Sequence, residues 1–173
     1  INREIAKTIK ELIGKYPVLT LTGPRQSGKT TLWKSVFPDY TYISLENPDN
    51  RNFAETDPNG FLRLYSKNVI FDEVLRVPVL FSYIQTIVDE SGMMGQFILS
   101  GSQNFHLLWN ITQSLAGRVA LLKLFPFDFQ ELISAGLLNS DYLENIIKGF
   151  YPAIYDRSIQ PGTFYSNYVQ TYI

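Results

Sequence analysis

Eight consecutive residues have the types and spacing of a phosphate-binding loop. The run from Gly23 to Thr30 satisfies the pattern G-x-x-x-x-G-K-[ST]. In such a loop, successive backbone N–H groups cradle a polyphosphate, and the dipole of the following helix favours the bound anion. We expect Lys29 to reach the outer phosphates and the Thr30 hydroxyl to ligate Mg²⁺. The predicted phosphate-binding residues are Gly23, Pro24, Arg25, Gln26, Ser27, Gly28, Lys29, Thr30 and Thr31.

A pair of acidic residues could complete this site. Asp72 and Glu73 follow the short apolar run 69–71, which we interpret as a strand. Ligands of a parallel sheet sit at the carboxyl ends of its strands, so this pair would lie beside the phosphates. Asp72 would hold the Mg²⁺ shell through water, and Glu73 would orient and polarise an attacking water. The alternative is that the two acids only cap an exposed strand end.

Two more polar residues could take part in phosphoryl transfer. Ser102 follows a predicted strand and could hydrogen-bond the terminal phosphate or the water, as could Gln103 and Asn104. Ser102 could instead cap the helix that follows. Arg118 ends a predicted helix, and a fixed guanidinium from a neighbouring subunit would stabilise the transition state. It could equally complement the helix dipole or pair with a surface carboxylate.

The elements that position these residues alternate between strand and helix. This alternation predicts an α/β fold with a parallel sheet covered on both faces. Apolar runs predict five strands, at 17–22, 40–45, 69–71, 96–100 and 119–125. Helical spacing of apolar residues predicts helices at 5–13, 30–37, 78–91 and 107–115. The polar stretch 46–60, rich in Asn, Asp and Pro, predicts a long surface loop.

The composition favours one ordered domain, or one domain plus part of another. The chain has 173 residues, of which 45% are hydrophobic. The net charge of −1 is scattered, so nothing indicates a nucleic-acid partner. The absence of cysteine is typical of a reducing compartment, and we expect a cytoplasmic protein. No apolar run is long enough to span a membrane, and the single His106 predicts no metal site.

The C-terminal third is aromatic and poor in charge. Apolar residues recur there at helical spacing and reach the last residue without a capping signal. This stripe indicates that the natural protein continues, although packing against the sheet explains it equally well. Left uncovered, it should promote association. Its members are Phe164, Tyr165, Tyr168, Val169, Tyr172 and Ile173.

Taken together, these segments resemble those of a family of prokaryotic AAA+ ATPases. The resemblance spans nearly the whole chain. Its motifs in this sequence are LTGPRQSGKTT at 21–31, SLENPDNR at 44–51, FDEV at 71–74, ILSGS at 98–102, SLAGR at 114–118 and GFYP at 149–152. Two positions depart from the family pattern: Leu75 stands where Gln is usual, and Phe150 where a second Gly is common.

The resemblance implies an AAA+ core of the P-loop NTPase type, a three-layer sandwich with a five-stranded parallel sheet, that binds ATP and Mg²⁺. Residues 1–126 would form this core. Residues 127–173 would form a helical segment, the start of a further region that leads into a C-terminal domain. The family's sensor position maps to Ser102. Its arginine-finger position maps to Arg118, which implies a homo-oligomer in which Arg118 acts in trans.

These features predict an ATPase core that hydrolyses ATP to ADP and phosphate and transmits the change to a C-terminal domain or partner. Two alternatives stay open. One is a non-hydrolytic nucleotide switch, which would show no ATP turnover. The other is a P-loop kinase for a small acceptor. Glu73 argues against the kinase, because activation of water is the obvious use of that acid.

Overall fold

A five-stranded parallel sheet forms the centre of the molecule in a computed structural model that describes residues 1–102 and 113–172. The strands are β1 (Val18–Gly23), β2 (Thr41–Ser44), β3 (Val69–Asp72), β4 (Phe97–Ser102) and β5 (Val119–Lys123). Their order across the sheet is β2-β3-β4-β1-β5, and every neighbouring pair is parallel. The predicted α/β fold is confirmed.

Helices connect and cover the strands. They are α1 (Ile5–Leu12), α2 (Lys29–Val36), α3 (Pro48–Thr56), α4 (Pro58–Leu64), α5 (Leu80–Ser91), α6 (Phe129–Ser134), α7 (Tyr142–Lys148), α8 (Pro152–Asp156) and α9 (Pro161–Tyr172), with a 3₁₀ turn at Val74–Arg76. Most of the predicted helix at 107–115 lies outside the described residues, as do Gln103, Asn104 and His106. Within the described ranges, no helix is long and apolar enough to cross a membrane.

The sheet separates two hydrophobic cores because successive side chains of a strand point to opposite faces. In β3, Val69 and Phe71 join one core, whereas Ile70 joins the other. The first core packs against α3, α4 and α5, and the second against α1 and α2. Strands buried on both faces are rich in apolar residues, which explains why the short apolar runs could be identified as strands. The result is the three-layer arrangement expected of this fold.

The prediction of a long surface loop at 46–60 is wrong. This stretch forms α3 and the first three residues of α4, and only Asp57 lies between the two helices. The Asn47 side chain accepts hydrogen bonds from the N–H groups of Asp49 and Asn50, and Asp57 caps α4 in the same way. A proline then occupies the first position of each helix, where its missing N–H costs nothing. The Asn, Asp and Pro residues interpreted as loop formers are thus helix starts.

The aromatic stripe of the C-terminal third is partly covered by its own chain. Phe164 is buried and packs on Tyr151, with ring centroids 5.3 Å apart. Tyr168 is half-buried, and its ring also lies against Tyr151. Val169 and Tyr172 are 52% and 40% exposed. Ile173, the last member, lies outside the described residues. The stripe therefore contributes both core packing and exposed apolar surface.

The cap of α3 gives a direct test of the correction at 46–60. Replacing Asn47 by Ala should lower the free energy of unfolding by about 1 kcal/mol, because two N–H groups at the start of α3 lose their acceptor. Asn52→Ala, at an exposed position inside the same helix, is the matched control and should not destabilise. Chemical denaturation measures both changes. Equal effects of the two substitutions would contradict a capping role.

Candidate active site

The phosphate-binding loop joins the end of β1 to the start of α2 and needs unusual backbone angles. Gly23 has φ = +155° and Gly28 has φ = +93°, conformations that favour glycine. A Cβ on Gly23 would lie 2.0 Å from the carbonyl oxygen of Leu124, so this strand end has no room for a side chain. Gly28 caps α2, whose hydrogen bonding begins with Leu32 N–H to the Gly28 carbonyl. The two motif positions thus require glycine for different reasons: Gly23 because a side chain would collide with Leu124, and Gly28 because of its positive φ.

Lys29, the first residue of α2, is held inside the loop. Its ammonium donates hydrogen bonds of 3.0 Å to the carbonyl oxygens of Gly23 and Pro24. Burial lowers the pKa of Lys29, while the carboxylates of Glu73 and Asp72 oppose that shift. A buried ammonium bonded only by carbonyls has an incomplete set of partners, and an anionic phosphate would supply the missing charge.

Asp72 is the meeting point of three elements. Its Oδ2 accepts a 3.1 Å hydrogen bond from the Thr30 hydroxyl and another from the Tyr42 hydroxyl of β2, while its Oδ1 accepts from the N–H of Glu73. A hydroxyl and a carboxylate side by side are the hard oxygen ligands that suit Mg²⁺. The residues predicted to hold the metal are therefore neighbours. Among the described residues, no group of three or more His, Cys, Asp or Glu side chains forms an all-protein metal cage.

Glu73 adopts a left-handed backbone conformation, with φ = +52°, immediately beyond β3. Such a conformation is uncommon for a residue with a side chain and costs on the order of 1 kcal/mol. Its Oε2 accepts a 3.4 Å hydrogen bond from the backbone N–H of Ser102. Burial raises the pKa of Glu73 and outweighs the opposing effect of this hydrogen bond. The strained turn directs a desolvated carboxylate toward the end of β4.

A cavity of about 470 Å³ brings most of the predicted site residues together. Six loop and α2 residues line it together with both acids: Arg25, Gln26, Gly28, Lys29, Thr30, Thr31, Asp72 and Glu73. Pro24 contributes its carbonyl to Lys29, and Gly23 does the same. Ser102 does not line this cavity, but its backbone N–H donates to Glu73, which does. The loop and the acidic pair thus line one space.

A second cavity, of about 600 Å³, adjoins the first. The two share Gly28, Thr31, Pro152 and Asp156 as lining residues. Its remaining walls come from the N-terminal ten residues, from α2 and from Phe127. The two cavities together provide space for a phosphate chain and an attached larger group on either side of Gly28.

Arg118 lies at the amino-terminal end of the strands, opposite the end that carries the phosphate-binding loop. It precedes β5, and its carbonyl accepts from Val18 N–H at the start of β1, about 16 Å of strand away from the loop. Its guanidinium forms a bidentate pair with Asp89 of α5, with Nε–Oδ1 and Nη2–Oδ2 distances of 2.5 and 2.8 Å. This hydrogen bond raises the pKa of Arg118 and lowers that of Asp89. The Arg118 side chain is 34% exposed and does not contribute to its own phosphate cavity.

Several residues around the site were not identified from the sequence. Arg3 bonds the loop carbonyl of Ser27, Tyr42 bonds Asp72, and Arg157 lines the phosphate cavity. The hydroxyl of Tyr168 donates to the carbonyl of Arg25 at 3.4 Å. Arg3 and Tyr168 are separated from their loop partners by 24 and 143 positions, so no local pattern could reveal these contacts. The one local sequence signal near this part of the site was the Gly-Phe-Tyr-Pro motif at 149–152, whose Pro152 begins α8 and lines the phosphate cavity.

Comparison with known proteins identifies related sequences. A family model described as an AAA domain matches residues 15–133. Uncharacterized proteins of Mycobacterium tuberculosis and Mycobacterium bovis are each 38% identical to the chain over 127 residues. These matches cover 71% of this chain and 28% of each relative, so the chain spans little more than a quarter of their length.

Solved structures show the same fold at low sequence identity. AMPPCP-bound DnaA from Aquifex aeolicus superposes with a TM-score of 0.59 and 16% identity, covering 90% of this chain and 57% of that one. The ORC1 protein of Aeropyrum pernix, in complex with DNA, gives a TM-score of 0.53 and 13% identity, covering 78% and 48%. At these identities the likeness is one of fold.

The raised pKa of Glu73 predicts a pH-dependent gain in stability when its charge is removed. The native state binds this proton more tightly than the unfolded chain does, so stability is lost as the pH rises through the folded pKa. Glu73→Gln should therefore raise the melting temperature at about pH 8, and the gain should shrink toward about pH 3, where the carboxyl is protonated in both the folded and the unfolded state. Glu55→Gln, at an exposed position of α3, should show no such trend. A gain that does not vary with pH would contradict this explanation.

Proposed function

Since this chain belongs to the AAA domain family of P-loop ATPases, we propose that it binds ATP with Mg²⁺ and hydrolyses it to ADP and phosphate. The observation that carries this proposal is the convergence of Lys29, Thr30, Asp72 and Glu73 on one cavity. Each of the four side chains has the chemistry that one step requires. Their neighbours leave them accessible to a ligand from the same side.

The loop is the proposed phosphate site. On binding, anionic phosphate oxygens would replace the two neutral carbonyl oxygens that now accept from the Lys29 ammonium, which strengthens its hydrogen bonds. The loop N–H groups and the start of α2 provide the remaining donors. The adjoining 600 Å³ cavity is the proposed site of the base and ribose, because it meets the phosphate cavity at Gly28 and Thr31.

Thr30 and Asp72 are the proposed Mg²⁺ site, and Glu73 the residue that activates water. Bound Mg²⁺ would neutralise charge that develops on the phosphate oxygens. The Thr30 hydroxyl, now bonded to Asp72, is free to turn toward the ion, while Tyr42 continues to hold the carboxylate. The Glu73 carboxylate, whose pKa is raised by burial, would accept hydrogen bonds from the attacking water and orient it. Ser102 would contact the same water or the terminal phosphate, and its support is that its backbone N–H donates to Glu73.

Arg118 is the proposed trans-acting arginine of a homo-oligomer. Because Arg118 lies at the opposite end of the strands from the loop, it cannot reach a nucleotide bound by its own subunit and would be available to a nucleotide bound by a neighbour. Its pair with Asp89 is half-exposed, and exposed pairs contribute little to stability, so it can be exchanged for a stronger contact with phosphate. The residues after β5 would transmit the nucleotide state to a further domain or partner, because α8 lines the cavity and Tyr168 of α9 contacts Arg25.

Two substitutions separate nucleotide binding from chemistry. Lys29→Ala should abolish tight ATP binding, because the outer phosphates lose their ammonium partner. Glu73→Gln should bind Mg-ATP normally and reduce turnover by roughly a hundredfold or more, since the amide cannot polarise the water. Titration with a fluorescent ATP analogue and phosphate release, with and without DNA, measure both. Parental turnover in Glu73→Gln would place the base elsewhere. ATP binding without any turnover in the parent would favour the non-hydrolytic switch.

Mixed assemblies test the trans role of Arg118. Arg118→Ala should keep ATP affinity and lower turnover by about a thousandfold, the scale of arginine fingers supplied in trans. Mixing Arg118→Ala with Lys29→Ala subunits should restore activity, because each supplies what the other lacks. Asp89→Ala is the matched control: it breaks the same ion pair but keeps the guanidinium, so turnover should persist. A mixture that assembles without regaining activity, or an Asp89→Ala loss equal to that of Arg118→Ala, would exclude the role.

A further inference from the structure

Arg3 is buried where three segments of the chain meet. Its Nε donates to Glu131 Oε1 at 2.9 Å, its Nη1 to the Ser27 carbonyl at 2.9 Å, and its Nη2 to the carbonyl of Phe125 at 2.6 Å. The guanidinium also lies over the ring of Phe127, with Cζ 4.9 Å from the ring centroid. The side chain is 9% exposed. Every edge of the guanidinium thus has an oriented partner.

The Ser27 carbonyl is the contact that matters for the site. It lies one residue before the Gly28 carbonyl, which accepts the first hydrogen bond of α2, so the helix does not use it. A buried carbonyl needs a partner, and Arg3 provides it. The peptide unit of Ser27 and Gly28 is planar, and its C=O and N–H point in opposite directions. Arg3 therefore also fixes the direction of the Gly28 N–H, which points away from Arg3.

We infer that Arg3 is a positioning residue for the phosphate site: it locks the peptide between Ser27 and Gly28 so that the Gly28 N–H faces the phosphates. The inference rests on the proposed function and adds a residue from outside the loop motif. Gly28 lines both cavities, and Arg3 lines only the one on the far side from the acids. The guanidinium acts through the backbone and does not contact phosphate.

The Arg3 cluster is itself rigid. Glu131 is buried, and its Oε1 also accepts from the Glu4 N–H, while its Oε2 accepts from the N–H of Asp128. Asp128 in turn caps α6 through the N–H of Glu131. Because no member of this network can turn without breaking a partner's bond, the position of the guanidinium is fixed before any ligand arrives. A preorganised donor array binds its ligand without a further cost of ordering.

The test compares ligands that differ in phosphate number on the full chain. Arg3→Met should weaken ATP binding by about tenfold or more, the scale of a hydrogen bond to a charged group. Its affinity for AMP, which has no outer phosphates, should fall less than about twofold. Competition titrations against a fluorescent ATP analogue give both constants. The ratio of the two is the readout, because a general loss of structure would weaken both ligands alike.

Two controls separate positioning from stability and charge. Asp57→Ala destabilises the fold by removing the cap of α4 and lies outside the Arg3 network, so its ratio of ATP affinity to AMP affinity should stay parental. Arg63→Met removes a positive charge from an exposed position of α4 and should also keep the ratio. A fall in the ratio of ATP affinity to AMP affinity in either control, as large as the fall in Arg3→Met, would overturn the inference.

Arg3→Lys covers the case in which Arg3→Met does not fold. It keeps a positive charge opposite Glu131, but one ammonium cannot span the Ser27 and Phe125 carbonyls as the planar fork does. The same selective loss of ATP affinity is expected. An unchanged ratio in a folded Arg3 variant would overturn this inference alone. A parental chain that binds ATP no more tightly than AMP would overturn the proposed function as well.

Discussion

The register of the parallel sheet is the constraint on which the site depends. Gly23 at the end of β1 pairs with Ser102 at the end of β4, and Asp72 at the end of β3 pairs with Ser44 of β2. All these residues are the last of their strands, so the loop, the acids and the end of β4 lie together at the carboxyl end of the sheet. A slip of one residue would also reverse which side chains face each core. Packing of the two hydrophobic cores therefore fixes the register of the strands and, through it, the positions of the site residues.

The cores also stabilise a group of residues that would not adopt their positions alone. Glu73 is strained and desolvated, Lys29 is a buried ammonium, and the Ser27 hydroxyl is buried without a hydrogen-bond partner among the described residues. Each feature is unfavourable in the folded chain without ligand. The two hydrophobic layers on either side of the sheet provide the excess stability that tolerates them.

The sequence was sufficient for features that a local pattern encodes. The apolar runs located the five strands, and the loop motif and the acidic pair located the centre of the cavity, because strand ends in a parallel sheet share an edge. The stretch 46–60 was misjudged because Asn47-Pro48 and Asp57-Pro58 serve turns and helix starts alike. Arg3 and Tyr168 were missed for another reason: their contacts with the loop exist only after distant segments pack. Ser102 and Arg118 keep the roles given above as proposals.

The hydrogen bonds of Lys29 to the Gly23 and Pro24 carbonyls have a kinetic consequence. The ammonium is bonded to the backbone of its own loop at two points, so the loop does not have to close around an arriving ligand. Association then becomes an exchange, in which one set of oxygen acceptors displaces another around a nitrogen that hardly moves. Discrimination among anions would accordingly reside in how fast each one leaves and much less in how fast it enters.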